Sequence, residues 1–405
     1  MRVCVVAEYY PRRRDPVLGI WAHRQALATR DAGADVRVLA LERPIPPAGT
    51  LRSLAHGRVL PLASDMVHLA RQPRLETLDD LEVEYVRFLA PAREGSYATW
   101  DRWAQRPLRR ALERLDAVWP LDLIHAHYAL PAGGAARPFA IERQRPLVVS
   151  VHGGDVLGPA LSAPAARARV GEVLAGSAAI LCNSHATLAL TAALAGSSAN
   201  MRVVHLGAEP PRHAQRRHHA PTLVTVAHLT ARNRHADVLR ALALAVRRVP
   251  DLRWLVIGDG PELPPLRRLA AELGIADRVD WAGQLAPRKA IEELARCHLM
   301  VMPSVDEAFG VAYVEAMACG VPAIGCRGEG GPEEIAALGG GMLLVGPGDI
   351  AALAQLIEDI VSDSARAQEL SAAARRTAVE RFSWERCGRA TVAAYEDALA
   401  EAAPG

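Results

Sequence analysis

The stretch from Met302 to Gly325 constrains the fold more than any other part of the chain. The apolar run Leu299–Met302 predicts a buried strand that ends at a Pro-Ser loop. From Gly310 the residues suit a helix, and Gly320 stands where a left-handed helix cap is expected. Ala323–Gly325 begins another buried strand. The stretch therefore predicts a strand–loop–helix–strand unit of an α/β fold.

Glu307 lies just before this predicted helix and Glu315 lies inside it. The free amides around Phe309, Gly310 and Val311 would favour a phosphate, because the helix dipole adds positive potential there. Carboxylates only accept hydrogen bonds, so Glu315 suits a ribose diol and Glu307 suits the hydroxyls of a sugar ring. By spacing alone, two ordinary helix acids would explain the pattern equally simply, and they are more common.

Length and composition predict an ordinary two-domain protein. A chain of 405 residues is too long for one core and fits two α/β domains of about 200 residues each. Charged residues at 23% and apolar residues at 50% exclude disorder along the chain. The net charge of +2 gives no indication of nucleic-acid binding. The segment 1–205 holds 25 arginines against 19 acidic residues, which would suit an anionic acceptor or a membrane surface, or would simply be solvated.

The six cysteines form no C-x-x-C pair and no metal-ligand spacing. Cysteines within predicted strands and helices behave as small apolar residues, which favours a reducing compartment. No apolar run is long enough to span a bilayer, and the start of the chain does not suit a signal peptide. We therefore expect a cytoplasmic location, with the inner face of the membrane as a second expectation from the basic first half.

The first half opens with a βαβ pattern. Arg2–Ala7 and Asp35–Ala40 are predicted strands, and a helical pattern between them starts at Gly19. The pattern lacks G-x-G-x-x-G, which argues against a dinucleotide site. By itself Gly19 would be a turn glycine.

A polar group follows two later strands of this half. His127 and Tyr128 come after a predicted strand and are candidates for the acceptor side. Leu147–Val151 is the next strand, and His152 ends it at the edge where parallel sheets bind ligands. Asp155 is first a candidate helix N-cap and second a ligand contact.

In order and spacing, these segments resemble glycosyltransferase family 4. The motifs that support this resemblance are E-A-F-G-V-A-Y-V-E with A-M-A-C-G-V-P-A-I, H-G-G-D, G-D-G-P and G-G-P-E-E. The resemblance implies a GT-B fold with two Rossmann-like parallel-sheet domains facing a central cleft. It implies that Glu307 contacts the donor sugar and Glu315 the nucleotide ribose. It also places His152 near the donor sugar and Gly19 against the donor diphosphate.

The resemblance also implies the remaining donor contacts. The nucleotide is expected near Gly258 and the segment Gly283, Gln284 and Leu285. The family neutralises the diphosphate with an arginine and a lysine. Here His228 and Asn233 stand at those two positions, and Arg232 or Arg234 could supply the charge instead.

The predicted domains are 1–208 for the acceptor side, a linker at 209–221, 222–383 for the donor, and a terminal helix at 384–405 that packs back on the first domain. The expected function is retaining transfer of a sugar from a nucleotide-diphosphate sugar to a hydroxyl of a glycan, glycolipid or small molecule. No cofactor and no metal are expected. The alternatives are a catalytically silent protein of the same fold that binds a nucleotide or a partner enzyme, and a sugar-nucleotide epimerase.

Overall fold

The computed structural model describes residues 1–44, 72–91, 93–158 and 163–402. The chain divides into two compact units. The first unit consists of Met1–Cys182, Ala189–Arg202 and Gly388–Gly405, and the second consists of Asn183–Leu188 and Val203–Cys387.

The first sheet has the order β3-β4-β2-β1-β5-β6-β7-β8. The pairs β4–β2, β2–β1, β1–β5, β5–β6 and β6–β7 are parallel, and β3 pairs antiparallel with β4 at the edge. The strands are β1 (Arg2–Ala7), β2 (Asp35–Glu42), β3 (Leu75–Leu78), β4 (Leu81–Arg87), β5 (Leu123–His127), β6 (Leu147–Val151), β7 (Ala179–Cys182) and β8 (Met201–Val203).

The second sheet has the order β11-β10-β9-β12-β13-β14, and its paired strands are parallel. The strands are β9 (Thr222–Val226), β10 (Arg253–Ile257), β11 (Val279–Gly283), β12 (Leu299–Val301), β13 (Ala323–Cys326) and β14 (Met342–Val345).

Helices connect the strands in both units, as parallel pairing requires. They are α1 (Ile20–Asp31), α2 (Trp100–Val118), α3 (Gly134–Glu142), α4 (Pro164–Ala175), α5 (His185–Ala195), α6 (His235–Ala245), α7 (Leu263–Glu272), α8 (Pro287–Ala295), α9 (Val311–Ala318), α10 (Gly330–Leu338), α11 (Ile350–Ser362), α12 (Ser364–Arg381) and α13 (Trp384–Ala402). Single helical turns occur at Arg93–Ser96, Tyr97–Thr99, Ala129–Gly133, Ala231–Asn233 and Ala276–Arg278.

The central strands are continuous apolar runs because helices cover both of their faces. In β1, Val3 to Ala7 are fully buried. In the second unit, Trp254 is fully buried in a core formed by β9 and β10 with α6, α7 and α11. The strands predicted at Arg2–Ala7 and Leu147–Val151 are confirmed residue for residue.

The last helix belongs to the first unit from Gly388 onward. The Tyr395 hydroxyl is 2.6 Å from Nδ1 of His125, and Gln25 donates to the Thr391 hydroxyl. Added to Gly388, a Cβ would lie 2.1 Å from the Ala28 carbonyl oxygen, so this glycine allows close contact with α1. Among the described residues, no helix is both long and apolar enough to cross a membrane.

The segment 209–221, predicted as a solvated linker, is partly anchored to the second unit. Arg217 donates to the carbonyl oxygens of Cys297 and Gly320, at 3.0 and 2.7 Å. The backbone N–H of His218 donates to the carbonyl of Arg296. A basic, proline-bounded composition does not reveal such contacts, because their acceptors are backbone carbonyls far along the chain.

Candidate functional site

Strand order reverses direction between β9 and β12 in the second sheet. In open α/β sheets such a switch point leaves a crevice at the carboxyl ends of the strands. The loop after β9 contains Arg232, and the loop after β12 contains Glu307. The Arg232 guanidinium donates to the carbonyl of Asp306 at 2.9 Å, and the Val305 N–H donates back to the carbonyl of Arg232. The two loops therefore meet at the switch point.

Glu307 is held by neighbours from two segments. The Ser304 hydroxyl donates to its carboxylate at 3.0 Å, and its own backbone N–H donates to the Glu329 carboxylate at 2.8 Å. Burial raises the pKa of Glu307, while the Arg232 guanidinium opposes that rise. The carboxylate is thus oriented, and the arginine is its main source of opposite charge.

Gly310 caps the start of α9 in the left-handed conformation, with φ of 86°. Added there, a Cβ would lie 2.3 Å from the Tyr313 ring, which is fully buried and bonded through its hydroxyl to Ser304. The Tyr313 N–H donates to the Gly310 carbonyl, while the amides before it stand at the helix start, where they have no intrahelical acceptor. Phe309 is buried and Val311 is half-buried beside this start.

The four candidate polar residues after β9 have different surroundings. Arg234 is bonded to Asp237 at 2.5 Å, and Asn233 is buried with its amide donating to the His228 carbonyl. His228 and Arg232 are exposed. Of the two arginines proposed from the sequence, Arg232 is therefore the one directed to the Glu307 loop.

The predicted nucleotide contacts lie on the same unit. Glu315 is half-buried on α9, about a turn and a half past Gly310. Gly258 follows β10, and its N–H donates to the carbonyl of Gly283 at the end of β11. Gln284 is exposed and Leu285 is half-buried directly after Gly283. The glycines, Gln284 and Leu285 lie at the carboxyl ends of β10 and β11, whereas Glu315 lies on the helix that follows β12.

The first sheet has a corresponding switch point between β1 and β5. Glu8 and Tyr9 follow β1, and Tyr128 follows β5. The Tyr9 and Tyr128 rings meet edge to face at 5.4 Å, and the Tyr128 and His152 rings lie 5.3 Å apart. Trp21 lies 6.2 Å from the His152 ring. The result is a wall of aromatic rings with a buried carboxyl group beside it.

His127 and His152 form a pair of neutral imidazoles. Their Nδ1 and Nε2 atoms lie 2.9 Å apart, and the ring planes are 5° from parallel. Burial lowers the pKa of His152 to about 3 and holds that of His127 well below its ordinary value. Neither ring carries a charge near neutral pH.

Four buried polar atoms around this wall have no hydrogen-bond partner among the described residues. They are Glu8 Oε2, His127 Nε2, His152 Nδ1 and Asp155 Oδ1, and Nε1 of Trp21 in the wall itself is a fifth. Unpaired buried polar groups are rare in proteins, and several in one place indicate a binding site for water or a polar ligand.

Among the described residues, Asp155 starts no helix, and its predicted role as an N-cap is wrong there. Its carboxyl group is fully buried and accepts from the His152 backbone N–H at 3.2 Å, within a turn. Burial raises the pKa of Asp155 to about 8. An acid four residues after a strand end can cap a helix or turn back to the strand, and the sequence does not distinguish these cases.

Gly19 stands at the N-cap of α1 with φ of 69°. Added there, a Cβ would lie 2.1 Å from the Tyr9 carbonyl oxygen. Glycine is therefore required for the loop after β1 to fold against the start of α1, and this loop carries both Glu8 and Tyr9.

Sequence reasoning missed Glu8 and Arg93. Arg93 lies 3.3 Å from the Glu8 carboxylate and also bonds the Tyr9 hydroxyl. Burial raises the pKa of Glu8 to about 7, and Arg93 opposes that rise. The position of Glu8 directly after the first strand is a signal that could have found it. Arg93 comes from a region without a legible pattern.

Comparison with known families agrees with this fold. The family model described as Glycosyl transferase 4-like domain matches residues 19–207, and that described as Glycosyl transferases group 1 matches residues 210–377. A GDP-mannose-dependent α-(1-6)-phosphatidylinositol monomannoside mannosyltransferase of Mycolicibacterium smegmatis is 31% identical over 42% of this chain. An N-acetyl-α-D-glucosaminyl L-malate synthase of Bacillus anthracis is 29% identical over 69% of the chain and 75% of its own length. The chain spans about half, 46%, of the mannosyltransferase.

Two solved structures share the architecture along the whole chain. Anabaena HepE in complex with UDP and glucose gives a TM-score of 0.71 at 18% identity, covering 97% of this chain and 99% of that one. Sucrose-phosphate synthase from Thermosynechococcus elongatus gives a TM-score of 0.74 at 19% identity, and the match covers 99% of this chain and 100% of that one. The fold is therefore GT-B. With both family matches, the chain belongs to the group 1 glycosyltransferases, and the assignment to glycosyltransferase family 4 fits.

Proposed function

We propose that the protein transfers a sugar from a nucleotide-diphosphate sugar to a hydroxyl group of an acceptor, with retention of the anomeric configuration. The observation that carries this proposal is the switch point of the second sheet. There Arg232, the Glu307 carboxylate and the glycine-capped start of α9 lie on adjoining loops. A cation, an oriented hydroxyl acceptor and a helix start suit a diphosphate joined to a sugar.

Arg232 takes the role that the family gives to an arginine and a lysine. Asn233 cannot do so, because it is buried and its amide is bonded to the His228 carbonyl. The Arg234 guanidinium is already paired with Asp237, which Arg240 also contacts. With charge compensation from Arg232 and the helix start, the departing diphosphate needs no metal ion.

The remaining donor contacts follow the family pattern. Glu307 binds the sugar hydroxyls and Glu315 the ribose diol, while Gly258, Gly283, Gln284 and Leu285 line the nucleotide. By the family resemblance, Gly19 and His152 are also assigned to the donor. A sugar nucleotide fits the solved relatives, since Anabaena HepE binds UDP and glucose.

The reaction exchanges one C–O bond for another and transfers one proton. The acceptor oxygen bonds to the anomeric carbon on the face from which the nucleotide departs, and the bond from that carbon to the diphosphate oxygen breaks. The acceptor proton passes to the departing diphosphate. No side chain of the chain is needed as a nucleophile in this scheme.

The first unit supplies the acceptor side. The unpaired buried polar atoms of Glu8, His127 and Asp155 lie next to the rings of Tyr9, Tyr128 and Trp21. They suit a hydroxylated molecule, because hydroxyl groups both donate and accept. Arg93 is paired with Glu8 and the two imidazoles are neutral, so a neutral sugar or polyol portion of an acceptor fits better than a phosphate.

A panel of nucleotide sugars tests the donor half by thermal shift. A bound donor at one hundred times its dissociation constant stabilises the folded state by about 2.7 kcal/mol, so the correct donor should raise Tm clearly. The Glu315→Ala variant should lose the shift. If no nucleotide sugar raises Tm, or if the shift survives in Glu315→Ala, the proposed donor site is wrong.

A second assay separates transfer from the alternatives. Transfer requires both donor and acceptor, whereas an epimerase changes the donor sugar when incubated with it alone. The presence of His228 and Asn233 where the family has an arginine and a lysine is what favours a catalytically silent protein. Such a protein would bind the nucleotide sugar and release no nucleoside diphosphate with any acceptor tried.

A further inference from the structure

Two histidines and a glutamate from three separate segments converge in the second unit. His185 is the first residue of α5, His205 follows β8, and Glu334 lies on α10. The Glu334 Oε1 atom lies 2.8 Å from His185 Nδ1 and 2.5 Å from His205 Nε2. The three ligand-type atoms lie within 4.8 Å of one another.

Neighbouring groups hold two of these side chains in place. The His205 ring stacks on Phe309 at 5.7 Å and meets Phe382 edge to face at 5.4 Å. The second oxygen of Glu334 accepts the backbone N–H of His185 at 2.6 Å. The Glu334 side chain is 10% exposed, whereas that of His185 is 76% exposed. The arrangement is therefore largely preorganised, with one adjustable member on the solvent side.

From this geometry we propose that His185, His205 and Glu334 bind a divalent transition-metal ion, for which Zn²⁺ is the best match. Two imidazoles and one carboxylate are a common set of three protein ligands for zinc. Imidazole nitrogens favour zinc, copper or nickel, whereas magnesium and calcium prefer oxygen ligands alone.

The distances require little movement. Zinc bonds to nitrogen and oxygen are about 2.0–2.2 Å long, so two ligand atoms of one ion lie at most about 4.4 Å apart. The exposed His185 ring can rotate to meet this limit. Its exposure also leaves room for water in the fourth position. The ion would replace the two N–H protons now shared with Glu334 Oε1.

The Glu334 carboxylate is well oriented for this role. One oxygen faces the two imidazoles, and the other accepts the backbone N–H of His185. The oxygen that bonds the His185 backbone fixes the orientation of the other, as outer contacts do in metal sites.

Metal binding here would also restrain the loop between β12 and α9, which contains Glu307 and Phe309. Glu334 lies one turn along α10 from Gly331, whose N–H donates to the Glu307 carbonyl at 3.2 Å. A Cβ added to Gly331 would lie 2.4 Å from the Phe309 backbone, so α10 packs directly on that segment. The ion would hold α10 without touching the sugar, and its binding does not depend on the proposed transferase activity.

Titration of the metal-free full chain with Co²⁺ and Zn²⁺ tests the site. We expect one ion per chain with the strong visible absorption of four-coordinate cobalt, displaced by Zn²⁺. His185→Ala and Glu334→Gln should weaken binding by about 100-fold or more, since loss of an outer partner alone costs 10- to 100-fold. Zn²⁺ should raise the Tm of the natural protein and not that of His185→Ala.

His213→Ala is the matched control, because His213 is an exposed histidine of the segment 209–221. Its cobalt spectrum and affinity should equal those of the natural protein. Because His185 is exposed, its replacement does not threaten folding, and circular dichroism without metal checks Glu334→Gln. Equal affinity in the natural protein and His185→Ala, or binding lost only in His213→Ala, would overturn the site.

Discussion

The two sheets place polar residues at equivalent switch points, yet the two sites differ in charge. At the first site, burial keeps the imidazoles of His127 and His152 neutral and raises the pKa of Asp155 to about 8. At the second, Arg232 is exposed and remains charged beside the Glu307 loop. The first site therefore suits hydroxyl groups, while the second suits an anion. The same parallel-sheet geometry supports both, and the depth of burial decides between them.

The largest expected effect tests the charged site. Replacing Arg232 with Ala should lower kcat by about 100- to 1000-fold, the usual cost of removing one preorganised group that stabilises developing charge. Arg234→Ala is the control on the same loop, because the Arg234 guanidinium is paired with Asp237. Steady-state kinetics with a saturating nucleotide sugar measures both. A greater loss in Arg234→Ala than in Arg232→Ala would contradict the assignment.

The second prediction concerns the uncharged site. Glu8→Gln should lower kcat/KM for the acceptor about 10- to 100-fold, because a buried hydrogen bond to a carboxyl group is worth about 1.5–3 kcal/mol. Donor affinity should stay unchanged. Glu42→Gln is a suitable control, since Glu42 pairs with Arg12 and Arg87 elsewhere in the first unit. If Glu8→Gln weakened donor binding as much as it lowered kcat/KM for the acceptor, the assignment of Glu8 to the acceptor would be wrong.

The third prediction concerns backbone strain at Gly19, next to the loop after β1 in the first site. Gly19→Ala should lower the free energy of unfolding by about 2–4 kcal/mol, because it combines a left-handed φ with a backbone clash. Gly33 also has a positive φ, of 103°, but nothing lies within 4 Å of an added Cβ. Gly33→Ala should therefore cost only about 1 kcal/mol in denaturant unfolding. Similar losses in the two variants would show that the loop after β1 can shift.

The smallest effect is a change in pH dependence. Burial lowers the pKa of His125 to about 3, so the unfolded chain binds a proton below pH 6.5 that the folded chain does not. His125 therefore makes stability fall as the pH falls. Between pH 6 and pH 5, the free energy of unfolding of His125→Gln should therefore fall by about 1 kcal/mol less than that of the natural protein.

Asp155→Asn should change the same slope in the opposite direction. The folded-state pKa of Asp155 is about 8 against 3.8 in the unfolded chain, so its contribution to stability falls as the pH rises through this range. In Asp155→Asn the free energy of unfolding should therefore fall more steeply on acidification than in the natural protein, again by about 1 kcal/mol per pH unit. Denaturant unfolding at pH 6 and pH 5 measures both variants. Slopes that change in the same direction would refute the picture of a neutral first site.

The order of strands and loops could be predicted from local sequence. Apolar runs such as Arg2–Ala7 predict buried parallel strands, because only strands covered on both faces are apolar at every position. Gly310 before a helical pattern predicted the start of α9 correctly to within one residue. The resemblance to a known family then supplied roles for Glu307 and Glu315, which spacing alone would have left as ordinary helix acids.

Which polar side chains stay charged, and which of them pair with one another, was decided by the tertiary structure. The sequence offers Arg232 and Arg234 as equals, and only packing shows that Arg234 is bound to Asp237. Arg93 reaches Glu8 from 85 residues away, and His205 and Glu334 meet from 129 residues apart. Local patterns report backbone conformation and burial of a face. They do not report the long-range contacts or the desolvation that determine whether a polar side chain is charged, paired or free to bind.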